Sequence, residues 1–265
     1  MASQIDHIVI AVNDLETASK DYAQAGFTVT PGGEHTSGVT HNALVSFADG
    51  AYFELIAFKN PGEEPQQPHR WWSKLRKREG LVDYALLSAD LGEEANALTG
   101  RGIAVVGPVD GGRIRPDGQQ VAWRILRSAD EESLLPFLID DQTDRALRVP
   151  NGSAEVHPAG FTAVAGLVIA VPDLDAAAAN YAAYLGSAGE ETTPSIGGAS
   201  GARRFSLGDQ WLEIVQPANA ESPLKETVDL HGGGPVEIVL RAPAGPDQEF
   251  LPANLTHGVR IRIVK

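Results

Sequence analysis

Residues 8–16 read Ile-Val-Ile-Ala-Val-Asn-Asp-Leu-Glu, and residues 167–175 read Leu-Val-Ile-Ala-Val-Pro-Asp-Leu-Asp. The likeness extends further along both copies. After the first, a helical stretch passes through Tyr22 and a later segment carries Phe53-Glu54-Leu55; after the second, a helical stretch passes through Tyr181 and a later segment reads Trp211-Leu212-Glu213-Ile214. A strand, a capped helix and a glutamate-bearing strand that recur together at a spacing of about 159 residues signal duplicated supersecondary units. The chain is thereby confined to folds assembled from repeats.

Each unit can be read in more detail. Residues 5–12 alternate and are β-branched, which predicts a strand with His7, Val9 and Ala11 on one face and Ile8, Ile10 and Val12 on the other. Asn13 and Asp14 are capping types, Glu16 stands three after Asn13 as in a capping box, and Leu15, Ala18 and Tyr22 form a helical stripe ending near Gly26. A weaker copy lies between the two clear ones: a strand over 82–88, a helix over 90–99, strands over 103–106 and 121–126, and a closing strand over 135–140. An abbreviated fourth copy begins at Val236 and ends with residues 258–264. The fold class is therefore α+β, four β-α-β-β-β modules taken two per half. Proline-rich or polar linkers cover 60–69, 141–160 and 217–234. The domain boundary is placed in the second of these, giving domains 1–145 and 158–265.

Composition narrows the partners. A formal charge of −14 over 265 residues disfavours nucleic acid and anionic membranes, both of which demand a basic face. The one basic cluster, residues 70–78, reads as a solvated helix face. With no cysteine there is no disulfide framework, thiolate nucleophile or cysteine metal site. The N-terminal residues lack a signal-peptide pattern, and no run approaches the roughly 20 apolar residues of a membrane span. The expectation is a cytoplasmic protein acting on a small molecule, with a homodimer left open.

Two residues stand out chemically. His7 is aimed off the first strand, and Glu54 sits among apolar neighbours on a last strand, where a carboxylate is costly unless paired, hydrogen-bonded or metal-bound. The paired modules, together with Gly32-Gly33-Glu34-His35, residues 38–44, Tyr52-Phe53-Glu54-Leu55-Ile56, Arg113-Ile114-Arg115-Pro116-Asp117-Gly118 and Leu135-Pro136-Phe137-Leu138-Ile139, resemble the vicinal oxygen chelate superfamily and, within it, the glyoxalase-like domain branch. That resemblance implies two open β-cups, each made by two facing modules. It also implies a divalent metal (zinc, nickel, iron or manganese) held by residues of first and last strands. Carried over residue by residue, the metal ligands are His7 and Glu54; the second module offers Tyr84 and Phe137 at the matching places. In the second half Gly166 stands where His7 stood, so that cup reads as structural.

The third metal ligand would be His41. If residues 48–51 make the hairpin turn, Val45 lies opposite Glu54 and His41 shares its face nearer the rim. The implied function is a metal-dependent isomerase or lyase, rather than a dioxygenase, that stabilises an enolate or oxyanion. Glu54 would serve as base, and His41 or Tyr84 would shuttle a proton. Asn42, Arg113, Arg115 and Trp123 are candidates for substrate contacts, the two arginines projecting to one side as an oxyanion would require.

Plainer alternatives stand beside these. Asp6-His7 can be a hydrogen-bonded feature of the fold, with the imidazole tied to a backbone carbonyl. Glu54 can pair with Arg113, Arg115 or Arg124; Arg113 and Arg115 can be surface groups; His35 can be a loop residue; and Trp71, Trp72 and Trp123 can be core. The alternative function is a metal-free protein that binds or sequesters an apolar small molecule in the same cup.

Overall fold

In a computed structural model, residues 4–66, 68–244 and 248–265 are described. The leader reading falls partly on residues 1–3, and Gln67 of the first linker likewise lies outside the described residues. The first module runs β1 (Gln4–Ala11), α1 (Leu15–Gln24), β2 (Thr30–His35), β3 (Thr40–Ser46) and β4 (Tyr52–Phe58). After a short helix α2 (Trp72–Lys77), the second runs β5 (Gly80–Leu87), α3 (Leu91–Gly100), β6 (Val105–Ile114), β7 (Gln120–Ser128) and β8 (Phe137–Asp141). A connecting helix α4 (Arg145–Arg148) and a 3-10 turn (Gly152–Glu155) lead to the third module: β9 (Ala163–Ala170), α5 (Leu174–Leu185), β10 (Glu190–Thr192), β11 (Ala199–Leu207) and β12 (Gln210–Pro217). Helix α6 (Lys225–His231) precedes an abbreviated fourth module of β13 (Gly234–Arg241), a two-residue β14 (Glu249–Phe250) and β15 (Arg260–Val264).

The repeat is architectural. β1 runs parallel to β4 and antiparallel to β5; β9 runs parallel to β12 and antiparallel to β13. The helix starts repeat as well. Asp14, Asp90 and Asp173 accept from the backbone N–H of Thr17, of Gly92 and Glu93, and of Ala176 respectively, each satisfying first-turn donors that would otherwise lack partners. The cap is thus Asp14, and the expected Asn13–Glu16 capping box does not form. Ala18 and Tyr22 are buried on the inner face of α1, as the stripe requires.

The two halves close differently. Strands of the first half make a closed eight-stranded barrel in the order β1-β4-β3-β2-β6-β7-β8-β5, whereas the second half is an open seven-stranded sheet, β10-β11-β12-β9-β13-β15-β14. The barrel is sealed by two ladder pairs, Glu34 with Ile114 and His35 with Arg113, continued by Thr36 N–H donating to the Gly112 carbonyl at 2.9 Å. Glycine permits this approach: Gly33 has φ +128°, and a Cβ there would stand 2.0 Å from the Ile114 carbonyl oxygen.

One apolar core joins the halves. Ile8, Ile10, Phe53 and Leu55 of the barrel and Leu167, Ile169, Leu212 and Ile238 of the open sheet belong to one buried cluster on their outer faces, covered by α1 and α5. The barrel interior is a second cluster, built on Val9, Ala11, Ile56, Phe58, Ala85 and Phe137. The face assignment read from alternation in β1 therefore holds. Among the described residues no helix is long and apolar enough to cross a membrane.

Tyr84 belongs to the shared core. It lies on the outer face of β5, its hydroxyl 2.6 Å from that of Tyr181. Tyr181 also donates to the Leu134 carbonyl. Tyr84→Phe is expected to lower stability by about 1 kcal/mol, the net worth of one buried hydrogen bond, and to leave any ligand affinity of the barrel unchanged. Chemical denaturation beside a binding titration checks both halves of that expectation.

Gly166 explains why the second half carries no counterpart of His7. Its β12 neighbour is Trp211, and a Cβ on Gly166 would sit 2.2 Å from the indole ring. The indole fills the space a side chain would take. Gly166→Ala is expected to destabilise by about 1–3 kcal/mol through overpacking, measurable as a lower denaturation midpoint with a blue- or red-shifted Trp211 emission.

Candidate functional site

The barrel interior collects most of the chain's chemistry. β1 and β4 are parallel neighbours with His7 opposite Tyr52, so His7 and Glu54 rise from adjacent strands on the same inner face. The His7 ring stacks on Tyr52 at 4.8 Å and meets the edge of Phe137 at 5.3 Å. Its Nδ1 is 2.6 Å from Asp6 Oδ1, so the partner is the Asp6 carboxylate and not the backbone carbonyl of the plainer alternative. Nε2 is thereby turned inward, 3.8 Å from Glu54 Oε2. A histidine whose outer nitrogen is held by a carboxylate has both its tautomer and its ring orientation set.

Glu54 is buried and has three polar neighbours. Asn42 Nδ2 donates to Oε1 at 2.6 Å, His35 Nε2 lies 3.4 Å from the same oxygen, and His7 faces the other. Burial pushes this carboxyl up, but the hydrogen bond and charge of His35, the charge of His7 and the Asn42 amide outweigh it and bring it down to about 2. The group is a held anion at neutral pH. Asn42 Oδ1 is buried with no hydrogen-bond partner among the described residues.

His41 is not in this cluster. Leu44, not Val45, pairs with Glu54, because the β3–β4 turn closes from Phe47 to Ala51. A shift of one residue moves every side chain of a strand to the other face. Asn42 therefore points in, and His41 points out toward Glu34, Lys59 and Asp14, with burial lowering its imidazole's affinity for a proton. The second imidazole comes instead from His35, at the end of β2, whose Nδ1 lies 2.8 Å from the Thr40 hydroxyl. In the sequence His35 reads as a loop residue after two glycines; the same Gly32-Gly33 pair, which lets β2 close against β6, is the signal that brings it to the site.

The arginines expected at the substrate serve the connecting segment. Arg113 is buried, donating to the carbonyls of Gly32 at 2.9 Å and Arg148 at 2.7 Å. Arg115 donates to Leu147 O at 3.0 Å and pairs with Asp117. The two guanidiniums do project to one side, but onto the last carbonyls of α4, groups that lack partners within the helix. Arg124 pairs with Asp140. None of the three meets Glu54.

Aromatic side chains wall the cup. Trp71, Trp72 and Trp123 pack against its apolar lining, and Trp123 stands edge-on to His35 at 5.9 Å. Arg70, exposed and just ahead of α2, also reaches this wall, pairing with Asp83 at 2.5 Å while Trp71 Nε1 donates to the same carboxylate at 2.7 Å. His69 packs on Phe58 and Trp71. Burial, helped by the positive surroundings of His35 and Arg70, lowers its imidazole to about 4, so it is neutral at physiological pH.

Beneath His7 lies a buried ionic network. Arg148 donates to both oxygens of Asp6 at 2.7 and 2.8 Å, to the Tyr52 hydroxyl at 2.9 Å and to Asp141. Arg145 adds a bond to Asp6 at 2.6 Å. Burial alone would raise the Asp6 carboxyl, but Arg148 and His7 hold it well below the usual range.

Residues 5–185 match the family described as "glyoxalase-like domain", a span covering more than half of the chain. The chain belongs to that family. Its vicinal oxygen chelate fold recurs in solved structures. A hypothetical protein from Staphylococcus aureus aligns at 15% identity over 98% of both chains with a TM-score of 0.73. A mutant of 4-hydroxymandelate synthase from Streptomyces coelicolor aligns at 12% identity over 91% of this chain and 71% of its own, with a TM-score of 0.60. At such identities the likeness is one of fold. No curated protein sequence matches the chain.

The superfamily includes metal-dependent enzymes, which raises the question of whether these residues suit a metal. A centre that leaves one position for substrate commonly takes three protein ligands. Here His7 and His35 approach opposite oxygens of one carboxylate, and the facing module presents Ala85 opposite His7 and the Phe137 ring. Asp83 is already engaged by Arg70 and Trp71. Among the described residues no group of three or more His, Cys, Asp and Glu side chains is spaced to hold an ion. The donor set does not make a three-ligand centre.

Proposed function

We propose that the barrel of the glyoxalase-like protein binds a small molecule with an apolar, partly aromatic body, and that Glu54, flanked by His7 and His35, engages its polar head without a resident metal. One observation carries this reading: an ionised, buried carboxylate with two imidazoles and an amide around it, set in a cup walled by Trp71, Trp123 and Phe137. Such a combination of an apolar wall with a few convergent polar groups is what small-molecule sites present. The ligand's donor group, a hydroxyl or an amine, would bond to Glu54 and the unpartnered Asn42 Oδ1. The neutral His69 stands at the aromatic wall as a further hydrogen-bonding group. His7 and His35 can accept or return a proton, so turnover of a bound hydroxy or carbonyl compound is chemically open to the same cluster.

A second reading, a metal-dependent isomerase or lyase, is favoured by the Asp6-held orientation of His7, an arrangement common among metal-ligating histidines. The candidate ligands would be His7, Glu54 and His35 in place of His41.

Elemental analysis of the purified protein beside the His7→Ala/Glu54→Ala double variant separates the two. Metal-free protein that quenches its tryptophan fluorescence on titration with small phenols or aromatic amines, and loses that response in the variant, supports the proposal. Near-stoichiometric zinc, nickel, iron or manganese, lost in the variant, would overturn it in favour of the metal enzyme.

A further inference from the structure

The open sheet of the second half has its own concave face, and its lining is cationic. Arg204 from β11, Trp211 from β12, Val239 and Arg241 from β13, Arg262 from β15, Ser195 and Lys265 border a cavity of about 490 Å³, with no Asp or Glu side chain among the lining residues. That volume lies within the range of small-molecule sites.

Two carboxylates with no exposed surface, Glu213 and Glu237, anchor these arginines from below. Glu213 Oε1 accepts from Ser195 N at 2.8 Å and from its hydroxyl at 2.6 Å, and Oε2 accepts from Arg204 Nε at 3.0 Å. Glu237 accepts from Arg262 Nε at 2.7 Å and Arg260 Nε at 2.5 Å. Both glutamates are therefore satisfied while guanidinium capacity remains. Arg262 is only 9% exposed, and its Nη2 is buried with no hydrogen-bond partner among the described residues. A buried charged donor left without an acceptor is unfavourable. Among the described residues Arg241 donates to the Asp209 carbonyl, and Arg204 lies 4.3 Å above the Trp211 ring.

We propose that this face binds a small organic anion, its carboxylate or phosphate oxygens taken by Arg262 and Arg241 and its body laid against Trp211 and Val239. A guanidinium offers paired donors that match either oxyanion. The indole that fills the Gly166 gap supplies the apolar wall. This site is separate from the barrel interior and does not rest on the reading of Glu54.

The test is calorimetric titration of the full chain with benzoate, phenyl phosphate and inorganic phosphate at physiological ionic strength. Arg241→Gln, Arg262→Gln and Glu54→Gln are run in parallel. Saturable 1:1 binding of benzoate identifies a carboxylate head, and of phenyl phosphate a phosphate head. In either case affinity is expected to fall at least ~10-fold, about 1.4 kcal/mol, in both arginine variants and to be unchanged in Glu54→Gln. Arg241→Gln leaves both bonds to Glu237 in place, so the result does not depend on the fold tolerating Arg262→Gln. Absence of saturable binding by any probe would overturn the proposal. So would inorganic phosphate binding as tightly as phenyl phosphate, equal affinity in Arg241→Gln, or loss of binding in Glu54→Gln instead.

Discussion

Arg148→Met is expected to cost about 3–5 kcal/mol of folding stability, the penalty for removing one partner of a buried ion pair. Asp6 has no exposed surface and Arg148 is 1% exposed. The arginine supplies two of the bonds that hold the carboxylate, and it also binds Tyr52 and Asp141. Without it Asp6 keeps one bond from Arg145 and the contact to His7, too little for a fully desolvated charge. Urea denaturation should show a lower midpoint at an unchanged slope. The Asp6→Asn/Arg148→Met double variant should recover part of the loss, because it removes both charges together. A single-variant loss below about 1 kcal/mol would show that solvent or a neighbour replaces the guanidinium. The same substitution removes two of the bonds that fix Asp6, the partner of His7 Nδ1, so the imidazole is held less rigidly and ligand affinity in the barrel should fall with stability.

The second large effect is expected from Glu54→Gln. For ligand binding, replacing the held anion by an amide should weaken affinity at least ~10-fold, about 1.4 kcal/mol. For stability the sign follows from linkage. The carboxyl is lowered from its ordinary 4.5 to about 2 in the folded protein. The unfolded chain thus takes up the proton first on acidification. The stabilisation is fully present above pH 4.5 and is lost as the pH falls toward about 2. Thermal or urea unfolding followed between those limits should therefore show a shallower pH dependence for Glu54→Gln than for the parent protein. Superimposable curves would mean that Glu54 is not held as an anion by His35, His7 and Asn42.

These effects arise from residues that differ in how openly the sequence displays them. His7 and Glu54 were visible because their strands announce themselves by alternation, and alternation assigns a side chain to a face without any knowledge of its partners. Asn42 and Trp123, named as substrate contacts, do lie at the cup. His41 and Tyr84 do not, and each misses for a reason of face. The hairpin turn closes one residue from where composition suggests, which reverses β3. On β5 Tyr84 pairs with Ile8, an outer-face residue of β1, while Ala85 and Asp83 pair with His7 and Val9 of the inner face, which leaves Tyr84 to the shared core. Arg113 and Arg115 point together, as an i, i+2 pair on a strand must; what they point at is a helix 30 or so residues further along, and spacing carries no information about that.

By itself, the sequence determined the repeat, the order of strands and helices within each module, the capping aspartates and the α+β class, because all of these depend on interactions between residues near one another in the chain. Only the tertiary structure decided that the first half seals into a barrel through Gly33, that His35 replaces His41 beside Glu54, that Arg148 reaches across 142 residues to hold Asp6, and that the second half gathers arginines around a cavity. The physical reason is common to all four. Register, closure and long-range ion pairing are set by how distant segments share space and desolvate each other's charges, and no local pattern of side chains encodes those neighbours.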